Sequence, residues 1–469
     1  MKSLSICSSF RRQLAALVLS VLVSACGGGG GSNLAGGVGS GGSGLAEGVV
    51  SGFGSLIVAG VEYDDSQASV LTENAQGQSD LSEAKLGQRV RIIQSKAGVA
   101  DTIQLLPQLR GTASSTQDRQ GVFVILGQTV QLILSSDAQN TATIFEGLTS
   151  VSAGDELEVH GHWVFDSTRN HSVLIATRVE KLALAADPVL LSGVLRSRSN
   201  QVLTLDSALG QTLQSAALPA SLTAASLVSA WLPRSALGAS PWLATRVIDA
   251  SPSLADNQRL LLNTQISQRD LAQGEIRVQG MRVQLPAGLG SSAPAIGSMV
   301  QIEIVRSGSD LKALVLSQKQ SSADMGGTVE LKGSVLWPSD ISQLSLRGNR
   351  VSVAGAVFAA SCTGLRAGDK VYLEIKAARP GPGQPLAATS IGCNAQIPGD
   401  SVLELSGTLT NLNLGSRTVQ VRTNGGILSL VWNDASLLPS NPSALLNRGV
   451  EIEYQVINGE NRLRKLKPD

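Results

Sequence analysis

The chain has 469 residues, with 37 Lys and Arg against 36 Asp and Glu, so its formal net charge is +1. A balance this even excludes electrostatic steering to nucleic acid or to anionic lipid. Aromatic residues make up only 3%, which leaves few stacking platforms for bases or sugars and an aliphatic core suited to β-branched strands.

The N-terminus carries Lys2, Arg11 and Arg12 without an acid, then an apolar run from Leu14 to Val23 broken only by Ser20, then Ser24, Ala25 and Cys26. A basic start, a short apolar stretch and small residues read as a secretory signal, and the run is short of the roughly 20 apolar residues that span a bilayer. Arg11-Arg12 adds a hint of twin-arginine export. Val23-Ser24-Ala25-Cys26 resembles the bacterial lipobox. That resemblance implies a signal peptide over 1–25, lipidation of Cys26 and a membrane anchor through it. Gly27, where an Asp would retain a lipoprotein at the inner membrane, implies the outer membrane, on its periplasmic or its outer face. Cleavage would remove three basic residues and no acid, leaving 34 basic against 36 acidic, a balance of −2. Residues 26–45 read as the lipidated cysteine and a tether: 27–44 contain eleven glycines in eighteen positions, a flexible coil reaching about 20–25 Å. Gly37-Val-Gly-Ser-Gly-Gly42 matches a dinucleotide fingerprint by letter, but it follows no strand and opens no helix.

From there the sequence repeats itself at about seventy residues. A glycine followed three residues later by an apolar residue recurs between strand-like runs: Gly60/Tyr63, Gly127/Val130, Gly210/Leu213, Gly280/Val283, Gly348/Val351 and Gly425/Leu428. A second glycine precedes apolar residues at +3 and +5, as at Gly87, Gly154, Gly297, Gly368 and Gly449; the third unit lacks it. A third marker closes each unit with an apolar residue three after another, and Ala-Thr-Arg-Val occurs twice in that slot, at 176–179 and 244–247. Most units open on a glycine: Gly48, Gly111, Gly193, Gly333 and Gly407.

Each unit reads as several short strands. Val122 to Leu126, Gly127, then Val130 to Leu134 is strand, turn, strand. Glu156 to His160 alternates polar and apolar, which predicts one buried face. No unit offers a long capped amphipathic helix. The expected fold is therefore all-β: six tandem small β-barrel-like, OB-like modules of about 70 residues, each with its own core. Their bounds are 46–109, 110–186, 187–253, 254–325, 326–399 and 400–469.

Gly48 to Tyr63, followed by Leu86-Gly-Gln-Arg-Val-Arg-Ile92, resembles the bacterial family known as domain of unknown function 5666, found in tandem in proteobacterial lipoproteins. The first two units match best and the third and fourth least. The resemblance spans about 46–467 and implies β-barrel-like modules on a lipid anchor, with no catalytic residues to carry over.

Few residues carry chemistry. Cys7 leaves with the signal and Cys26 is lipidated, so Cys362 and Cys393 remain as an even pair in an oxidising compartment, where a disulfide is expected. All three histidines fall in the second unit. His160 and His162 lie two apart on a strand and share a face, which makes them weak metal candidates short of four ligands; exposure on the strand is the plainer expectation. His171, after the turn 166–170, is expected opposite Val164 or Phe165 and off their level. Gly238-Ala-Ser240-Pro-Trp242 stops short of a nucleophile elbow, and Asp64-Asp65 lacks a basic partner nearby. The repeated residues are glycines and aliphatics, which serve structure, while loops and outer faces vary as in a binding surface.

The functional expectation is a non-enzymatic, lipid-anchored envelope protein without cofactor: a string of β-modules acting as scaffold or binding rod, its partners the membrane through the N-terminal lipid and an envelope protein or polysaccharide, with no nucleic acid. The alternative is a metal-dependent binding protein or enzyme using the histidines of the second unit.

Overall fold

The computed structural model describes residues 44–468, apart from 59–60, 66, 97, 136–141, 239, 287–288, 290–292, 319–327, 339–340, 347–348, 379–383, 395–401, 424–425, 435, 440 and 458–459. The signal peptide 1–25, Cys26 and the tether to residue 43 lie outside the described residues, as do the marker glycines Gly60, Gly348 and Gly425. Strand structure begins at Gly44, so Gly44 and Leu45 belong to the first strand rather than the tether.

The described residues are nearly all β; in place of α-helices there are three short 3-10 turns, Arg234–Ala236, Ala360–Cys362 and Pro442–Leu445. The first segment supplies β1 (Gly44–Phe53), β2 (Leu56–Val58), β3 (Val61–Tyr63), β4 (Ser69–Glu73), β5 (Ser79–Leu81), β6 (Arg89–Gln94) and β7 (Thr102–Leu105). β1 pairs antiparallel with β2 and β6, β2 with β3, and β6 with β7. A parallel bridge between Asp64 and Val99 joins the end of β3 to the approach of β7.

The second segment supplies β8 (Leu109–Thr112), β9 (Val122–Ile125), β10 (Gln128–Leu132), β11 (Ile144–Glu146), β12 (Glu156–Asp166) and β13 (His171–Lys181). β8 starts one residue before the expected boundary at 110. Leu126 and Gly127 both have positive φ, 49° and 72°, the two-residue turn whose twist suits a hairpin, and β9 and β10 pair across it. β10 runs parallel to β13, β13 antiparallel to β12, β12 antiparallel to β8, and Ala113 bridges Ile125 of β9. The pairings return to their start, so the segment is a small closed barrel without a free edge.

The same order of pairing recurs in whole or in part downstream. The third segment has β14 (Val189–Ser199), β15 (Val202–Leu205), β16 (Thr212–Gln214), β17 (Leu227–Leu232), β18 (Trp242–Leu243) and β19 (Arg246–Asp249). The fourth has β20 (Arg259–Gln265), β21 (Gln268–Asp270), β22 (Glu275–Val278), β23 (Met281–Gln284), β24 (Met299–Ser307) and β25 (Asp310–Gln318). The fifth has β26 (Thr328–Leu336), β27 (Gln343–Leu346), β28 (Asn349–Ser352), β29 (Val357–Phe358), β30 (Lys370–Ala378) and β31 (Leu386–Asn394). The sixth has β32 (Val402–Asn413), β33 (Thr418–Thr423), β34 (Gly426–Val431), β35 (Gly449–Ile457) and β36 (Glu460–Pro468). In each, an inner strand runs parallel to a later one: β16 with β18, β23 with β25, β28 with β31, β34 with β36. The opening glycines are where the first strand crosses its hairpin. A Cβ at Gly111, Gly193 or Gly333 would stand 3.2, 3.1 or 2.8 Å from Leu126, Leu205 or Leu346.

The segments do not string out as a rod. The first touches all five others. β1 pairs in parallel with β20 of the fourth segment, Leu45 to Glu47 beside Leu260 to Leu262, and then with β26 of the fifth. Lys85 reaches Glu180 of the second at 2.8 Å. Arg246 of the third pairs with Glu73, and Lys465 of the sixth with Glu83. Apolar packing follows the same plan. Among the described residues, four continuous clusters take the place of six separate cores: one spans the first and fifth segments, one the second and third, one the fourth together with Leu45, and one the sixth. An apolar face that a 70-residue unit cannot cover alone is covered by its neighbour.

Candidate functional site at the junction of the first, second and fourth segments

β12 is long because both of its faces are covered. Where its alternation predicts one wet face, it meets β6 and β20 instead, and nearly every residue from Leu157 to Trp163 is buried. All three histidines are buried as well, against the expectation of exposure.

His160 is 0% exposed. Its Nδ1 accepts the backbone N–H of Arg89 at 3.3 Å, which leaves the proton on Nε2 to be donated to Glu158 Oε1 at 2.9 Å. Arg110 also pairs with Glu158. Burial would raise the Glu158 carboxyl, but His160 and Arg110 outweigh it and hold it down at about 2. A bulge follows directly: His160 faces Arg178, but Gly161 faces Ala176, because a Cβ at Gly161 would fall 2.1 Å from the Ile175 carbonyl oxygen.

His162 points across the junction. Its Nδ1 accepts the side-chain amide of Gln279 at 3.1 Å and lies 3.4 Å from Thr264 Oγ1, both in the fourth segment. Burial, joined by the positive charge of Arg89 and opposed by Glu47, pushes its pKa down to about 3. His171 sits opposite Asp166, one place beyond the expected partners. Asp166 stays in the strand because its Oδ1 accepts the backbone N–H of Thr168 at 2.8 Å and so starts the turn. His171 Nδ1 donates to the Arg169 carbonyl, and Nε2 meets Thr129 Oγ1 at 3.0 Å.

Beneath the histidines lies a buried ion pair. Glu47 of β1 and Arg89 of β6 are each 1% exposed and in contact, and Arg91 Nε donates to the other Glu47 oxygen at 3.0 Å. Burial would raise Glu47, yet the two arginines hold it below the ordinary carboxylate range. Arg89, Arg91, Val90 and Ile92 alternate along β6, a pattern that reads as a solvated strand face. The charges at Glu47 and Arg89 are thus missed from sequence, because the segments that cover them lie far along the chain.

The arrangement holds protein to protein. Among the described residues no group of three or more His, Cys, Asp or Glu is placed to hold a metal ion, and the ring nitrogens of His160 are both engaged. Cys362 and Cys393 are joined by a disulfide across 5.0 Å between Cα atoms. Asp65 accepts Arg464 of the sixth segment on its carbonyl oxygen at 3.2 Å. In the 238–242 stretch, Ser240 Oγ meets Thr212 Oγ1 at 2.6 Å rather than a base, and residue 239 is outside the described residues. Comparison of the chain with protein-family models and with curated proteins finds no match.

Proposed function

We propose that this chain is a non-enzymatic, lipid-anchored cell-envelope protein of six tandem OB-like modules of the domain of unknown function 5666 type, five of which close round the first to make one scaffold body. The observation that carries the reading is the engagement of the first segment with every other, by parallel strand addition and half-buried ion pairs. The shared order of strand pairing, with an inner strand parallel to a later one, supports a common module. His160 and His162 are instead engaged in contacts between segments, with the Arg89 backbone and with Gln279, which removes support from a metal-dependent use of them.

On this reading Cys26 carries the lipid, the outer membrane is the site, on its periplasmic or outer face, and the varied loops meet an envelope protein or polysaccharide. The test expresses the wild type and Cys26→Ala in a bacterium fed a labelled fatty acid, then isolates partners by cross-linking and mass spectrometry. The wild type takes up label, fractionates with outer membrane and captures a specific envelope partner. Label-free wild-type protein, or a soluble wild type with no partner, contradicts the reading.

A further inference from the structure

A second polar feature lies behind the ion pair, at the seam between the first and third segments. Arg89, Arg91 and Gln104 from β6 and β7, with Pro107 and Gln108 of the connection to β8, face Ser229, Trp231 and Asp249 of β17 and β19 across a cleft of about 80 Å³. That is room for roughly six water-sized groups. The remaining walls are apolar, chiefly Leu105, Leu190 and Ile248.

The charges facing this cleft are not matched where they stand. Glu47 serves both Arg89 and Arg91, so two guanidiniums share one carboxylate on the first-segment wall. Arg91 Nη2 is closed to solvent and lies 3.0 Å from Glu47. Glu73, at the rim, is matched by Arg246, which also lies over the Trp231 ring at 4.6 Å. Asp249 is on the third-segment wall; one of its oxygens accepts the Ser251 backbone N–H at 3.0 Å. The cleft therefore carries a surplus positive pole on one wall and a negative pole on the other, with apolar surface between. A guanidinium that shares its carboxylate with a second one prefers a further carboxylate, and a lone carboxylate prefers an ammonium.

We propose that this cleft binds a small zwitterion of the amino-acid class, its carboxylate on Arg91, its ammonium on Asp249 and a short aliphatic side chain against Leu105 and Ile248. The site stands apart from the scaffold reading, because it uses groups that the contacts between segments leave over.

The experiment is isothermal titration of the full mature chain in detergent with L-valine, and with isovalerate and isobutylamine, which each keep one charge. Saturable binding of L-valine is expected, with both single-charge analogues weaker by about tenfold or more, roughly 1.4 kcal/mol each. Arg91→Gln and Asp249→Asn should each weaken L-valine by a similar factor. Ala250→Phe, which fills the cleft and leaves both charges in place, should abolish binding in a protein that keeps its melting temperature. No saturable heat with L-valine overturns the proposal, as does binding that Ala250→Phe leaves unchanged or analogues that bind as well as L-valine. Because the scaffold reading is judged by partner capture, a failure here leaves that result separate.

Discussion

Glu47 and Arg89 form an ion pair in which each side chain is 1% exposed, where β1 is paired with β6 along one edge and with β20 along the other. A buried pair of this kind is weak as a net source of stability, but it is costly to break, because the surviving charge stays buried without a partner. Glu47→Gln should destabilise the protein by about 3–5 kcal/mol, seen as a lowered melting temperature. Glu47→Leu with Arg89→Met should recover most of that loss. A Glu47→Gln protein that melts with the wild type would show that the pair does not hold this junction.

Acid should loosen the same junction. The His162 pKa is about 3 in the folded chain against an ordinary 6.5, and Glu158 is about 2 against 4.5. Both folded values lie below the unfolded ones, so the unfolded chain binds more protons as pH falls, and both groups make stability drop with acid. The His162 contribution is intact above pH 6.5 and is lost between 6.5 and 3; the Glu158 contribution is intact above 4.5 and is lost between 4.5 and 2. Melting temperature followed from pH 7 to 4 should fall in the wild type. His162→Asn should flatten the upper part of that slope, between pH 6.5 and 4.5.

Gly280 tests the seam between the third and fourth segments. Its φ is +78°, and a Cβ there would stand 2.4 Å from the Leu227 backbone nitrogen. Gly154, with φ +92°, has nothing within 4 Å of its imagined Cβ. Gly154→Ala should cost only the left-handed conformation, about 1–2 kcal/mol. Gly280→Ala should cost more and should open the fourth segment to limited proteolysis while the second and third stay protected. Equal protease sensitivity in the two variants would contradict the seam.

The Cys362–Cys393 bond closes a loop of 31 residues in sequence. In the chain-entropy account such a loop is worth about 3–4 kcal/mol. Because the fifth segment shares its apolar cluster with the first, reduction should lower the melting of both together. Hydrogen exchange with and without reductant reads this directly: β26 and β2 should lose protection in step.

The hairpins were legible in the sequence, and the faces were not. Leu126-Gly127 announces its turn, and the opening glycines Gly111, Gly193 and Gly333 mark the strand that crosses its own hairpin, because those needs are local. The alternation from Glu156 to His160 and from Arg89 to Ile92 also fits the strands that form. It misleads about water, because the second face of each strand is covered by a segment distant in sequence, and nothing local encodes that cover. The parallel additions of β20 and β26 to β1 are invisible for the same reason. His171 is off by one place because Asp166 starts its turn from inside the strand, a difference only the side-chain hydrogen bond reveals.

Small-angle scattering of the chain from Gly44 onward reads whether the segments form one body round the first. A single packed body of this length has a radius of gyration below about 30 Å, whereas six modules end to end would give one on the order of 45 Å. The smaller value is expected, unchanged by salt. The larger value, with a maximum dimension typical of a rod, would contradict it.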